Sequence, residues 1–488
     1  MRHPFLADIR RGGEIVTMLE VSEPTETSRN DGALAGLVHG GNPSPGQASA
    51  GSSLESNGYV TIAAAPPTYG DFVPQEPRTL EEARLSSSDV EGLVLKLMLA
   101  RGDLTGREVM EHIKLPFVMI ERSLREMRHD QLLVYRNAAP MNDYLYQLTE
   151  IGRERAKRLM ADCAYCGTAP VSLQDYIASV QAQSLTNQHP THEDLRRAFD
   201  DLLISPDQLA RLGPAINSGN GLFLYGAPGN GKTSIAERLT KCFGQIIWIP
   251  RALGVDGEII RLFDPLNHEE LALERPLALY DQSRIDQRWV RIRRPTIVAG
   301  GELTMENLEV TKNSATGISE ASMQLKSNCG VLVIDDFGRQ RISIEQLLNR
   351  WIVPLEKRYD YLNLANGKKI QVPFDQLLVF ATNLEPRDLV NEAFLRRIPY
   401  KVQVHDPGEA EFRQLFAILC EKLNIPYQQA PIDYLIQRHY RDAGRPFRWC
   451  QPRDLLIQVR NHCYYQGIPA ELADEHFDLA VETYFTML

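Results

Sequence analysis

Gly226, Ala227, Pro228, Gly229, Asn230, Gly231, Lys232 and Thr233 follow one another in the chain. Together they satisfy every fixed position of the phosphate-binding pattern G-x-x-x-x-G-K-[ST]. No other stretch limits the fold so tightly, because such a loop works only between a buried strand and the first turn of a helix. Both neighbours are present: residues 221–225 are an apolar run fit for a short buried strand, and residues 234–241 continue as a helix. The glycines let backbone N–H groups turn inward around phosphate oxygens, where the helix dipole also favours negative charge. Lys232 would reach the β- and γ-phosphates, the Thr233 hydroxyl would ligate Mg²⁺, and Ser234 completes the set of nucleotide-binding positions.

The chain around this loop has 488 residues, 43% of them hydrophobic, enough for two or three domains with cores of their own. A formal net charge of -10 argues against a nonspecific coat for nucleic acid. Seven cysteines, an odd number widely scattered, do not make a disulfide framework. The start carries no apolar core of signal-peptide length, and no apolar run is long enough to span a membrane, so a cytoplasmic location is expected. Residues 1–78 are expected to be a disordered tail and linker: from 24 to 56 glycine, serine, asparagine and alanine dominate and aromatics are absent. Residues 59–62 are either a short strand or an attachment segment.

Residues 79–188 predict a winged-helix-like domain with a helical linker. Ser88 or Asp89 can cap a first helix with Val90, Leu93, Val94 and Leu97 on one face. A second helix over 105–113 and a third over 116–128 follow, then strands at 132–135 and 144–148, and a last helix capped by Thr149. The third helix offers Lys114, Arg122, Arg125 and Arg128 to a partner, which is DNA in many such domains; Glu121 and Glu126 dilute that charge and leave protein docking open. Cys163 and Cys166 form a lone C-x-x-C without the second ligand pair that zinc would need.

The phosphate loop requires an acid at the end of a neighbouring strand. Residues 331–334, all apolar, run into Asp335 and Asp336, the pattern of a central parallel strand with carboxylates at its tip. Asp335 would hold Mg²⁺, and Asp336 would orient and deprotonate the attacking water. A third apolar run, 377–381, ends in Thr382 and Asn383, whose amide can bond both the γ-phosphate and the water. Arg396 and Arg397 follow a short helix from which an arginine would reach a neighbouring subunit's nucleotide. Arg453 opens a helix behind Pro452 and would tie that helix to the γ-phosphate.

This set, in this order, resembles the AAA+ ATPase family over residues 190–488: phosphate loop, acid-tipped strand, sensor asparagine, arginine finger and lid arginine. Residues 359–374, turning at Asn366 and Gly367, resemble the hairpin before the sensor strand in the MoxR-like and enhancer-binding branches. Closer still, the chain resembles a bacterial group of AAA-family ATPases with a winged-helix-like N-terminal part. The resemblance implies an α/β P-loop NTPase core with a parallel sheet over 189–406 and a C-terminal helical lid over 407–488. It also implies ATP and Mg²⁺ as cofactors and a homo-oligomer, typically a hexameric ring with shared sites. One departure stands out: where the family usually has Asp-Glu, this chain has Asp335 followed by Asp336, one methylene shorter, which predicts slow turnover.

Between the loop and the acids lies an insertion. Residues 288–294 predict a strand with Trp289, Arg291 and Arg293 on one face, suited to a polyanion, an acidic protein surface or subunit packing. Residues 311–322 predict a mobile loop, with 317–319 placed where related rings expose substrate-gripping elements. Three accounts fit: an ATP-hydrolysing remodeller of a protein partner, a DNA-linked ATPase or transcription regulator binding duplex through 86–160, and an ATP-gated assembly switch with slow hydrolysis. A GTPase is disfavoured, since no N-K-x-D guanine-reading segment appears at the right place.

Overall fold

The computed structural model describes residues 72–272, 285–389 and 392–485. The expected tail up to residue 71, with the segment at 59–62, lies outside the described residues. Those described fall in one compact unit that begins at Pro67.

The first part contains α1 (Ser87–Arg101), β1 (Leu104–Thr105), α2 (Gly106–Ile113), α3 (Phe117–His129), β2 (Leu133–Ala139), β3 (Asp143–Leu148) and α4 (Glu150–Asp162). Its strands form an antiparallel sheet in the order β1-β3-β2, the α+β arrangement expected. Val90, Leu93, Val94 and Leu97 of α1 enter its core. The cap of α1 is Ser86, two or three residues before the positions expected. Its hydroxyl accepts from the Asp89 amide while the Asp89 carboxylate accepts from the Ser86 amide, and this reciprocal pair adds a turn to the helix.

Next come β4 (Val171–Ser172), α5 (Leu173–Ala182), α6 (His192–Ala198), α7 (Pro206–Asn217), β5 (Leu222–Tyr225) and α8 (Lys232–Arg238). The insertion supplies β6 (Ile246–Pro250), β7 (Ala252–Val255), β8 (Glu258–Arg261) and β9 (Trp289–Arg293), then β10 (Thr296–Ala299), β11 (Thr311–Lys312), β12 (Ser319–Glu320) and α9 (Met323–Lys326). The chain returns through β13 (Val331–Ile334), α10 (Ile344–Lys357), the hairpin β14 (Tyr359–Asn363) and β15 (Lys369–Pro373), and β16 (Leu377–Thr382). It ends with α11 (Pro386–Leu389), α12 (Glu392–Leu395), β17 (Tyr400–Gln403) and the lid helices α13 (Glu409–Lys422), α14 (Gln429–Tyr434), α15 (Gln451–Gln466) and α16 (Asp474–Phe485). A π-helical turn, Leu435–Arg441, extends α14.

The central sheet has the order β10-β13-β16-β5-β17, and every neighbouring pair is parallel. Alternate residues of its strands feed two separate cores. Leu222, Leu224, Val331, Val333, Leu377 and Val379 pack with α6, α7 and α8, whereas Phe223, Leu332, Ile334, Leu378 and Phe380 pack around Trp351 of α10. Helices on both faces explain why these strands are continuously apolar rather than alternating. The architecture is the expected α/β one, a parallel sheet with a glycine loop after β5, followed by C-terminal helices. All five strands present their C-terminal ends on one edge, where ligands bind in open α/β sheets.

One expectation for the insertion is overturned and another is narrowed. Of the face predicted around Trp289, Arg291 is half-buried and Arg293 is exposed. Trp289 is buried, and Arg288 is buried in an ion pair with Asp286, donating also to the Ala83 and Pro170 carbonyls at 3.1 and 3.2 Å. Arg294, equally buried, donates to the carbonyls of Gly244, Gln183 and Cys329, and Arg293 pairs with Glu269 at 2.8 Å. Arg288 and Arg294 serve as internal struts, because a buried guanidinium must fill its donors, whereas the Arg293–Glu269 pair lies at the surface. The 311–322 segment, in turn, is a β-hairpin built into a sheet of order β11-β12-β8-β7-β4. Gly317 lies against the Asp162 carbonyl with φ +65°, and Ala164 donates its amide to Thr316, so this turn is held by the N-terminal module.

Candidate nucleotide site

The loop after β5 owes its shape to glycine at two close approaches. Gly226 has φ +146° and no room for a Cβ beside the Val404 carbonyl; Gly229 has φ +83°, and a Cβ there would sit 2.5 Å from Cys450 Sγ. The loop is thus pinned by the strand behind it and by the lid in front. Gly231 begins α8, so the Lys232 and Thr233 side chains leave from its first turn.

Lys232, largely buried, donates from Nζ to the Gly226 and Ala227 carbonyls, both at 3.0 Å, and to Asn383 Oδ1 at 2.7 Å. Burial lowers its pKa, opposed by the nearby Asp335 and Asp336 charges and assisted by Arg448. Thr233 Oγ1 donates to Asp335 Oδ2 at 2.8 Å. Asp336, solvent-exposed with φ +47°, receives the Asn383 amide at 3.3 Å on Oδ1. Gln340 donates to the carbonyls of Asp335 and Asp336, at 2.8 and 3.1 Å, and fixes the turn that carries both acids. Residues that follow the ends of three adjacent strands, β13, β16 and β5, are therefore joined by side-chain hydrogen bonds as well as by the sheet itself.

The lid closes a second side. Cys450 donates its amide to the Gly229 carbonyl at 2.9 Å. Arg448 forms an ion pair with Asp406, which accepts the Asn230 amide at 2.7 Å; Asn230 Oδ1 is buried without a protein partner. Arg453 does not reach the loop: its side chain is 63% exposed and pairs with Asp454 at 3.1 Å. As the third residue of α15, it points off the helix start rather than along the chain segment that touches Gly229. Arg397 bonds Glu356 at 2.7 Å, and Arg396 is exposed on the surface. Neither is part of this chain's own cluster. Arg448 and Asp406 were not foreseen. Their signal was the turn containing Gly444 and Pro446 just before a lid helix, a site where the chain must bend back over the loop.

Cys163 and Cys166 are free, and among the described residues no group of three or more His, Cys, Asp or Glu could hold a metal ion. The oxygen donors Thr233 and Asp335 nonetheless suit Mg²⁺, which keeps several waters and takes one or two protein oxygens beside phosphate. Among the described residues no helix is long and apolar enough to cross a membrane.

Residues 408–483, the lid helices, match a family model described as a domain of unknown function, DUF8689. No curated protein matches the chain. Similar solved structures include NtrX from Brucella abortus, at 12% identity over 58% of this chain and 57% of that one, with a TM-score of 0.37. The Thermotoga maritima RuvB Holliday junction branch migration motor is 13% identical over 59% of this chain and 72% of its own, with a TM-score of 0.34. A BchI–BchD complex of magnesium chelatase gives 14%, 57%, 91% and 0.31 for the same measures. The chain thus spans little more than half the length of NtrX. The fold class itself stands on the strand order and on the loop between β5 and α8.

Proposed function

We propose that this chain binds Mg-ATP at the edge formed by β5, β13 and β16 and hydrolyses it. It would act as a ring-forming AAA+ ATPase that remodels a protein partner. The observation that carries this reading is the hydrogen-bonded set Lys232–Asn383–Asp336 together with Thr233–Asp335, assembled from three strand ends around one glycine loop. The loop amides and Lys232 would hold the β- and γ-phosphates. Thr233 and Asp335 would hold the magnesium ion, whose charge offsets that of the phosphates. Asp336 would take the proton of the attacking water, and Asn383 would hold that water in line.

Arg396 and Arg397, outside their own chain's cluster, would complete the site of a neighbouring copy, making turnover depend on assembly. On the N-terminal module, α3 favours a protein over DNA as partner. Arg122 and Arg125 are each tied to a glutamate one turn away, Glu126 at 3.1 Å and Glu121 at 2.6 Å, and Arg128 lies over the Tyr135 ring, so two of the four candidate cations are already matched by carboxylates. A second reading, the slow ATP-gated switch, is favoured by the short side chain and left-handed backbone of Asp336.

Steady-state ATPase rate measured against protein concentration tests the proposal. Specific activity that rises with concentration and vanishes in Lys232→Ala supports shared, lysine-dependent sites. Tight Mg²⁺-dependent ATP binding with no turnover at any concentration would sink the motor and leave the switch.

A further inference from the structure

A cavity of about 470 Å³ lies between the N-terminal module and the inserted sheet, and no residue of the phosphate loop or lid lines it. Its volume falls in the range of small-molecule sites. Its lining includes the face of α1 that carries Gly92 and Lys96, and the β7–β8 turn that ends in Glu258. Most charges along it are spent within the protein. Arg84 pairs with Asp175, Asp89 caps α1, and Asp256 pairs with Lys368.

Asp162 and Lys312 also line the cavity, exposed to solvent. Two charges with buried atoms are not spent. Lys96 is 6% exposed, and its Nζ donates to the Cys163 carbonyl at 3.1 Å; among the described residues it has no carboxylate partner. Burial lowers its pKa, with the Cys163 and Cys166 thiols acting in the opposite sense. Glu258 accepts the Asn366 amide on Oε1, while Oε2 is buried with no partner. Buried charge of either sign is costly unless matched, and these two do not match each other. A simple anion would leave Glu258 Oε2 orphaned, and a simple cation would leave Lys96 without a counter-ion.

We propose that this cavity binds a small zwitterion of the α-amino-acid class, with its carboxylate on Lys96 and its ammonium on Glu258. The site also has a route to the nucleotide edge. The β7–β8 turn belongs to the sheet that includes β12, and β12 leads through α9 directly into β13, the strand ending at Asp335. An occupied cavity would therefore brace the N-terminal module against the strand that carries the acids.

The test uses the full chain and reads binding, independently of ATP turnover. Thermal melting is recorded with each of the twenty L-α-amino acids at about 10 mM, for wild type, Lys96→Met and Glu258→Gln. The expected result is that at least one amino acid raises the melting temperature by about 2 °C or more. Its N-acetyl and decarboxylated derivatives should not, and neither substituted protein should respond. Far-UV circular dichroism and the unliganded melting curve establish that each variant is folded; if Lys96→Met is not, Glu258→Gln carries the test. The proposal is overturned if no amino acid shifts wild type by more than about 0.5 °C. It is equally overturned if the shift survives in a folded variant or is reproduced by either derivative.

Discussion

Lys232 Nζ donates to Asn383 Oδ1 at 2.7 Å, although 151 positions separate the two residues in the chain. The sheet register brings them together: Thr382 lies opposite Tyr225, so Asn383 and Gly226 leave adjacent strands side by side. The same amide then donates to Asp336 at 3.3 Å. Asn383 is thus a junction between the proposed phosphate-binding lysine and the proposed base. Arriving phosphate oxygens would compete with it for Lys232.

Asn383→Ala should leave ATP affinity within a few-fold of wild type while lowering turnover about 100-fold, since the amide acts on the water and the transferred phosphoryl group. Asn383→Asp should be similarly slow, because it keeps an acceptor for Lys232 but loses the donor to Asp336. Fluorescent-nucleotide titration and single-turnover hydrolysis separate the two effects. A parallel loss of affinity and rate would mean that Asn383 only positions Lys232.

Asp336→Glu should raise turnover, by about 10-fold or more, because one added methylene returns the carboxylate to the reach the reaction needs. Asp336→Asn should fall to background without loss of ATP binding. If glutamate slows the enzyme instead, the left-handed backbone at φ +47° already gives aspartate the required reach.

The phosphate loop, the acid-tipped strand and the sensor strand were legible because their fully buried runs are short, apolar and end in unmistakable polar residues. The 359–374 hairpin was legible from its Asn366–Gly367 turn, which the structure closes between β14 and β15 with Gly367 at φ +82°. What failed depended on distant partners. Asp286 stands two residues before Arg288, but nothing local shows that Arg288 and Arg294 are buried, because their other acceptors are carbonyls from Ala83, Pro170, Gly244, Gln183 and Cys329. The loop around Gly317 looked mobile for its composition, yet contacts with α4 and pairing with β8 hold it. Arg448 could not be separated from Arg453 by spacing, since only the backbone bond between Cys450 and Gly229 sets which one meets the loop.

Asp286→Ala should be strongly destabilising, by about 3–5 kcal/mol, because it leaves the buried Arg288 guanidinium without its counter-ion. Arg288 also bonds Ala83 and Pro170, so the N-terminal module should loosen first. Limited proteolysis should then cut near residue 170 well before the core. Replacing both residues with apolar ones of similar volume should recover much of the loss, and failure to recover any would show that the carbonyl contacts matter more than the charge.

His268 gives the fold a dependence on pH. Its Nδ1 accepts the Asp264 amide at 3.1 Å and its Nε2 faces the Lys326 carbonyl at 2.9 Å, a pattern that requires the neutral ring with its proton on Nε2. Burial accordingly lowers its pKa below the ordinary 6.5. The unfolded chain then binds the proton more readily. The stabilisation is present above about pH 6.5 and is lost as pH falls toward the folded-state value, with a slope of at most about 1.4 kcal/mol per pH unit. Denaturant melts between pH 7.5 and 5 should show this loss, and His268→Gln should flatten it. An unchanged slope in that variant would assign the dependence to other groups.

The two lid arginines should separate cleanly. Arg448 is paired with Asp406, which holds Asn230 of the loop, and its charge is felt at Lys232. Arg453 is exposed beside Asp454. Arg448→Ala should weaken ATP binding by about 10- to 100-fold, the worth of a hydrogen bond to a charged group. Asp406→Asn should do less, since Asn230 keeps an acceptor there. Arg453→Ala should change affinity by less than about 3-fold, within the range of an exposed ion pair. Isothermal titration with a non-hydrolysable ATP analogue gives all three values. A large loss from Arg453→Ala with none from Arg448→Ala would mean that the lid rotates on nucleotide binding and brings the start of α15 onto the γ-phosphate.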